Sequence, residues 1–243
     1  MTTSLSITPS PASPGPAGHH TATGRPDAAR TKRLLACGAI AGPLFVIAVV
    51  AQALTRPGFS LSHDAASLLD DGPWGWVQSA NFIVTGLLLA AAAAGMRRVL
   101  ADGRGSRWAP RLLLITGAGL IGGGIFHPDP SGGYPPGTPP GASAVSSWHG
   151  MLHQVCGSAA FLALIVFCII FARRYRALGQ PRMAAFSWLA GALCAAGVAS
   201  GGMPHGTLTL FIGVSIALLW AAVIATRLTT AHNSQQPKPA PHP

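Results

Sequence analysis

Six apolar blocks, each nearly free of charge and long enough to cross a bilayer, dominate this sequence. They occupy residues 34–54, 73–96, 109–127, 148–171, 183–200 and 206–227. About 20 apolar residues carry a helix across the hydrocarbon core, and in lipid every backbone polar group must be paired internally. The predicted fold class is therefore all-α, an integral membrane bundle of six transmembrane helices. Only 9% of residues are charged, against roughly a quarter in a soluble domain. The six spans use most of the 243 residues and leave no length for a separate soluble domain. Residues 1–33 and 229–243 are rich in Pro, Ser, Thr, Gly and Ala, lack the apolar content for a core, and read as disordered tails.

Charge sets the expected orientation. Of the 16 Lys and Arg, all but Arg56 fall on one side, in the N-terminal tail, the second and fourth connections (with Arg111 just beyond the second) or the C-terminal tail and its junction with the last block. The positive-inside rule makes that side cytoplasmic and, with six spans, puts both termini there. The expected location is a plasma (inner) membrane, as a multi-pass protein with the lipid bilayer as its partner. The net charge of +10 does not predict nucleic-acid binding. The arginines sit in short topogenic clusters, with no basic helix or aromatic-basic stripe.

Several local patterns need an alternative reading beside the eye-catching one. Ala51-Gln52-Ala53, after an Arg-flanked apolar run, resembles a signal-peptidase site. The run is longer than an ordinary signal core, so the expectation is an uncleaved first helix. Gly117-Ala118-Gly119-Leu120-Ile121-Gly122 matches a dinucleotide fingerprint literally but lies inside an apolar helix with no strand before it. Gly119 and Gly123 instead suit close helix packing. Cys37, Cys156, Cys168 and Cys194 all fall in apolar segments and read as small packing residues, with no disulfide framework.

The remaining polar residues collect at the end opposite the arginines. Ser62, His63, Asp64, Asp70, Asp71, His127, Asp129, His149, His153 and His205 lie in the outer connections or the adjoining helix ends. Bundled helices are spaced about 8–10 Å apart, so one shared site is geometrically open to them. His149 and His153, four apart, stack on one helix face beside Gly150, Gly157 and Ala160. That spacing suits two imidazoles on one metal such as Zn, with a third ligand from His63, His127, His205 or Asp129. The plainer reading is that interfacial histidines bond loop carbonyls. Gln78, Asn81 and Thr85 recur at helical spacing below the same end. They read either as a pocket floor or as interhelical hydrogen bonding. The first outer connection predicts a short surface helix with Leu61, Ala65 and Leu68 toward lipid and His63, Ser67 and Asp70 away from it. The long loop after the third span is read as either a lid or a spacer.

The strings GFSLSHDAASLL, GWVQSANFIVTGLLL, DPSGGYPPGTP and SWHGMLHQVCG, in this order, resemble the family called domain of unknown function 998. The resemblance covers residues 35–228. It implies a prokaryotic integral membrane protein of about six helices, and no activity. Carried over residue by residue, it singles out Ser67, Gly75, Trp76, Gln78, Asn81, Phe82, Gly86, Asp129, Pro130, His149 and His153. His63 also fits, whereas His127 and His205 match positions where the family varies. A looser similarity is to the intramembrane hydrolases that include alkaline ceramidases. Here six helices replace seven, and no serine stands four residues before the remaining histidine.

Two kinds of function follow as expectations. The first is a binding or structural membrane protein with an outward-facing polar pocket lined by Ser67, Gln78, Asn81 and Asp129 beside His149 and His153. The second is a zinc-dependent hydrolase at the outer leaflet. His149, His153 and His63 would then hold metal, and Asp129 or Asp64 would act as base. Haem or quinone electron transfer is a further alternative, requiring axial histidines on facing helices.

Overall fold

Each apolar block is a helix in the computed structural model, which describes residues 24–141 and 146–234. The helices are α1 (Gly24–Thr55), α2 (Gly75–Val99), α3 (Trp108–Ile125), α4 (Trp148–Ala177), α5 (Pro181–Ala199) and α6 (Gly206–Ser234). All six are long and apolar enough to span a membrane, and the described residues contain no strand. Each helix packs on its sequence neighbours, and α1 also packs on α6, so the six close into a ring. Connections alternate between two ends. The "arginine end" holds the α2–α3 and α4–α5 connections, and the "histidine end" holds the other three.

The outer surface of the ring is what lipid requires. Ile47, Leu54, Val155 and Leu162 are all more than half exposed, while the inward faces carry Leu35, Leu89, Phe167 and Leu218. Trp74, Trp76, Trp108 and Trp148 stand exposed at helix ends, where amphipathic rings favour the bilayer interface. Between helices the seams are narrow because small residues line them. A β-carbon on Gly119 would lie 2.6 Å from the Cys156 carbonyl oxygen of α4, so only glycine permits this approach. Gly117, two residues away, packs instead on the α2 backbone at Gly86. The literal dinucleotide fingerprint thus serves two seams of one helix. Gly123, expected to share that role, has only His153 near it. All four cysteines are free.

Three features differ from the sequence expectation. First, α1 begins ten residues before the apolar block, inside the segment read as a disordered tail. Asp27 stands in its first turn, where a carboxylate favours the helix dipole. Thr31 is buried and its hydroxyl bonds the Asp27 carbonyl, and Arg98 of α2 approaches Asp27 at 3.8 Å. The transmembrane segment has already met the cost of helix nucleation, so these weak contacts suffice to extend it. At the other terminus α6 runs on to Ser234. Residues 1–23 and 235–243 of the expected tails lie outside the described residues. Second, the predicted surface helix is a short 3-10 helix, Ala66–Asp70, that docks inward. Leu68, Leu69 and Asp70 are buried, so Leu68 faces the bundle and not lipid. Third, the loop after α3 is folded onto the first connection. Tyr134 is buried edge-on against Phe59, with centroids 5.1 Å apart, and the Gly132 amide donates to the Gly141 carbonyl at 2.7 Å.

Candidate functional site

The N-terminus of α4 is the best-organised polar feature at the histidine end. Ser147 is its N-cap, accepting a hydrogen bond from the Gly150 amide at 3.0 Å. Asp129, on the α3–α4 loop, accepts from the Ser147 amide at 2.9 Å and from its hydroxyl at 2.5 Å. Together they form a reciprocal cap like a capping box, with the carboxylate supplied by a distant loop. Gly150 is required beneath it, since a β-carbon there would stand 2.6 Å from the Asp129 Cγ. The two bonds from Ser147, side chain first, hold the Asp129 carboxyl below the usual carboxylate range.

His149 completes this group. Its Nδ1 lies 2.9 Å from the Ser147 hydroxyl and 3.2 Å from the His127 carbonyl oxygen. Only an Nδ1–H donor satisfies both neighbours. The Ser147 hydroxyl then gives its proton to Asp129 and accepts from Gly150 and His149. A hydroxyl so occupied has no base to take its proton, so the trio is not arranged as a Ser-His-Asp nucleophile.

His153 plays a different part. It is buried, and its Nδ1 lies 2.8 Å from the Phe126 carbonyl oxygen and 3.1 Å from that of Gly123. Both carbonyls belong to the C-terminal turn of α3, which would otherwise leave acceptors unpaired. A side chain of α4 thus caps the end of α3.

Behind this layer sits an acidic pair, buried Asp70 and half-buried Asp71. Asp70 is 3% exposed; Ser79 of α2 donates to its Oδ1, and His127 Nδ1 lies 3.1 Å from its Oδ2. The His127 contact is in ion-pair range without hydrogen-bond geometry. Burial raises the Asp70 carboxyl above its ordinary range, opposed by Ser79, His127 and His153. Burial and then the Asp70 charge push Asp71 up to about 6. One Asp71 oxygen is buried without a partner. Asp129 and His149 also act on Asp71, so the two layers share one electrostatic environment.

The other expected site residues separate from this cluster. Gln78 and Asn81 lie in the α1–α2 seam. Gln52 of α1 donates to the Gln78 carbonyl oxygen at 2.8 Å, and Asn81 donates to the same atom at 3.3 Å. Thr85 reaches Asn81, and Arg56 caps the chain by donating to Gln52 at 3.1 Å. His63 stands beside His205, with ring centroids 5.7 Å apart, and His205 Nδ1 lies 3.3 Å from the Ser62 carbonyl oxygen. Asp64 is buried, accepting from the Ser60 amide at 2.8 Å to hold its own loop. The trio His149, His153 and His63 is therefore not assembled. No group of three or more His, Cys, Asp or Glu side chains among the described residues is placed to hold a metal ion.

Ser67 and Asp129 do meet. They line a groove of about 570 Å³ between the 3-10 helix, the loop at 128–131 and the first two turns of α4, walled also by Gln154, Met151 and Val155. Met151 and Val155 are among the exposed apolar residues, so the groove opens sideways toward lipid. Sequence reading passed over Gln52, which it treated only as part of a cleavage pattern. It also passed over the pairing of Asp70 with Ser79. Gln52 had a usable signal, an uncharged polar residue within an apolar span. Asp70 had none, because its partner is set by how the 3-10 helix docks.

The profile of the family described as protein of unknown function (DUF998) matches residues 39–228. No curated protein and no solved structure matches the chain significantly. The matched region covers all six spans except the first turns of α1 and the last of α6, and the chain belongs to that family.

Proposed function

We propose that this DUF998 protein is a multi-pass plasma-membrane binding protein whose histidine end faces away from the cytoplasm and receives an amphiphile bearing a cationic head. The observation that carries the reading is the groove containing Ser67 and Asp129, polar at the helix end and apolar where it meets lipid. Asp129 has both oxygens engaged, yet a carboxylate offers about four acceptor positions, which leaves room for a donor from a ligand. The charge balance favours a cation. Asp64, Asp70, Asp71 and Asp129 lie at this end, and the nearby cation, Arg56, is tied to Gln52 and the Trp74 carbonyl. The orientation follows from the arginine bias and the positive-inside rule.

Binding of decylammonium and of neutral decanol to the purified full chain tests this. Saturable binding at least tenfold tighter for the ammonium is expected. Asp129→Asn, whose single amide oxygen can still accept from the Ser147 amide while the carboxylate charge is lost, should abolish that preference, and Ser67→Tyr should block both ligands by filling the groove. Equal affinity for the two amphiphiles, or an unchanged preference in Asp129→Asn, sinks the proposal. Metal analysis addresses the hydrolase alternative directly. Stoichiometric zinc that disappears in His149→Ala/His153→Ala would replace the binding reading with a metal-centred one.

A further inference from the structure

The arginine end contains a second cavity, of about 600 Å³, where α2, α4 and α6 meet across the ring. Its lining includes Leu100, Phe171, Tyr175, Gln180, Arg174 and Arg227. The floor is apolar, for Leu100 and Phe171 are buried. The mouth is cationic. Arg174 is committed, donating to the Asp102 and Arg104 carbonyls of the α2–α3 connection at 3.1 and 3.0 Å. Arg227 is not. Its hydrogen bond goes to the Met183 thioether at 3.1 Å, a weak acceptor that leaves most of a five-donor guanidinium unused.

Service to a helix dipole does not account for Arg227. It lies seven residues before the end of α6 at Ser234, about 10 Å along the axis, and the dipole acts only within the last turn. Nor is there a carboxylate to pair with it. The described acidic residues at this end are Asp27, which approaches Arg98, and Asp102. A second, independent observation is Tyr175. It is 7% exposed and lines the cavity, and its hydroxyl is not among the buried unpaired atoms, so the polar tip reaches the cavity. A Tyr with a buried ring and an accessible hydroxyl presents a donor to whatever fills the cavity. Arg174 and Arg227 both lie near enough to act on it electrostatically.

We propose that this cavity is an anion site for a phosphate group. Arg227 is the charged donor and the Tyr175 hydroxyl a second donor, and the Phe171 and Leu100 floor takes an apolar portion of the ligand. A phosphate presents several acceptor oxygens to such a fork of donors. It can come from the headgroup of an anionic lipid or from a soluble phosphate compound.

Thermal unfolding of the full chain in detergent, titrated with inorganic phosphate, dihexanoyl phosphatidylglycerol or dihexanoyl phosphatidylcholine, tests the site. A saturable rise in Tm with inorganic phosphate supports a soluble source. Saturation with phosphatidylglycerol and not with the other two supports a lipid headgroup. Saturation with none of them, or equal binding of phosphatidylcholine, overturns the proposal. Arg227→Gln should weaken binding by about tenfold or more, and Tyr175→Phe, which preserves the ring packing, by several-fold. Arg107→Gln, in a separate basic groove between α2 and α3, should leave affinity unchanged. An Arg227→Gln protein that binds like wild type, or an equal loss in Arg107→Gln, reduces the effect to general surface charge and rejects the site.

Discussion

Asp70 and Asp71 are neighbours in sequence, yet they meet different surroundings. Asp70 accepts from Ser79 at Oδ1 and has His127 in ion-pair range of Oδ2, whereas the buried Asp71 oxygen has neither a hydrogen bond nor an ion pair among the described residues. With its carboxyl raised from 3.8 to about 6, Asp71 contributes stability that is fully present below the unfolded value and lost as pH rises through about 6. Asp71→Asn should therefore raise Tm at pH 8, by an amount equivalent to roughly 1–2 kcal/mol once partial solvent screening is allowed for. The gain should fade as pH drops and vanish near pH 4. A gain that is independent of pH would mean that the asparagine acts through packing and not through charge. Asp129 has the opposite sign. Its carboxyl is lowered by Ser147, so its contribution is present above pH 3.8 and lost on further acidification.

At the scale of elements, helix ends and seams carry the organisation. α4 is started by an Asp129–Ser147 cap, and α3 is ended by His153 reaching across from α4. The two helices thus terminate each other's loose backbone groups. The α1–α2 seam is held by the Arg56–Gln52–Gln78–Asn81–Thr85 chain. Interhelical hydrogen bonds in membranes average about 0.6 kcal/mol with a maximum near 1.7. Gln52→Leu leaves the Gln78 carbonyl with Asn81 alone and strands a donor on Arg56. Its cost should fall in the upper half of that range, visible as a lower denaturation midpoint. A midpoint unchanged from wild type would show that the seam is set by its small residues and not by this chain. These elements were unevenly legible. The i, i+4 spacing of His149 and His153 and the 78–81–85 register could be read from a helical repeat. That His153 bonds α3 and His149 bonds a loop could not, because both acceptors are backbone atoms that every residue possesses.

For the whole molecule, orientation is the claim on which the outward-facing reading depends. In a background with the four cysteines replaced by Ala, Thr138→Cys on the histidine-end loop should react with a membrane-impermeant maleimide in intact cells. Ser106→Cys on the α2–α3 connection should react only after lysis. The reverse pattern would turn the histidine end toward the cytoplasm. It would leave the phosphate proposal standing as chemistry while moving that site outside.

Six spans, their approximate bounds and the gathering of arginine at one end were determined by the sequence alone. Lipid cannot hydrate backbone or charge, so long uncharged runs have one outcome open to them, and that outcome does not depend on which helix neighbours which. Tertiary structure decided everything that depends on adjacency. It closed the ring, turned Leu68 inward and split the expected pocket by placing Gln78 with Gln52, and His63 with His205. It also put Arg227 and Tyr175 on one cavity from two helices, a relation carried by neither helix's own pattern. Hydrophobic length is a property of a segment, whereas a hydrogen bond or a shared cavity belongs to a pair of segments and exists only once they have packed.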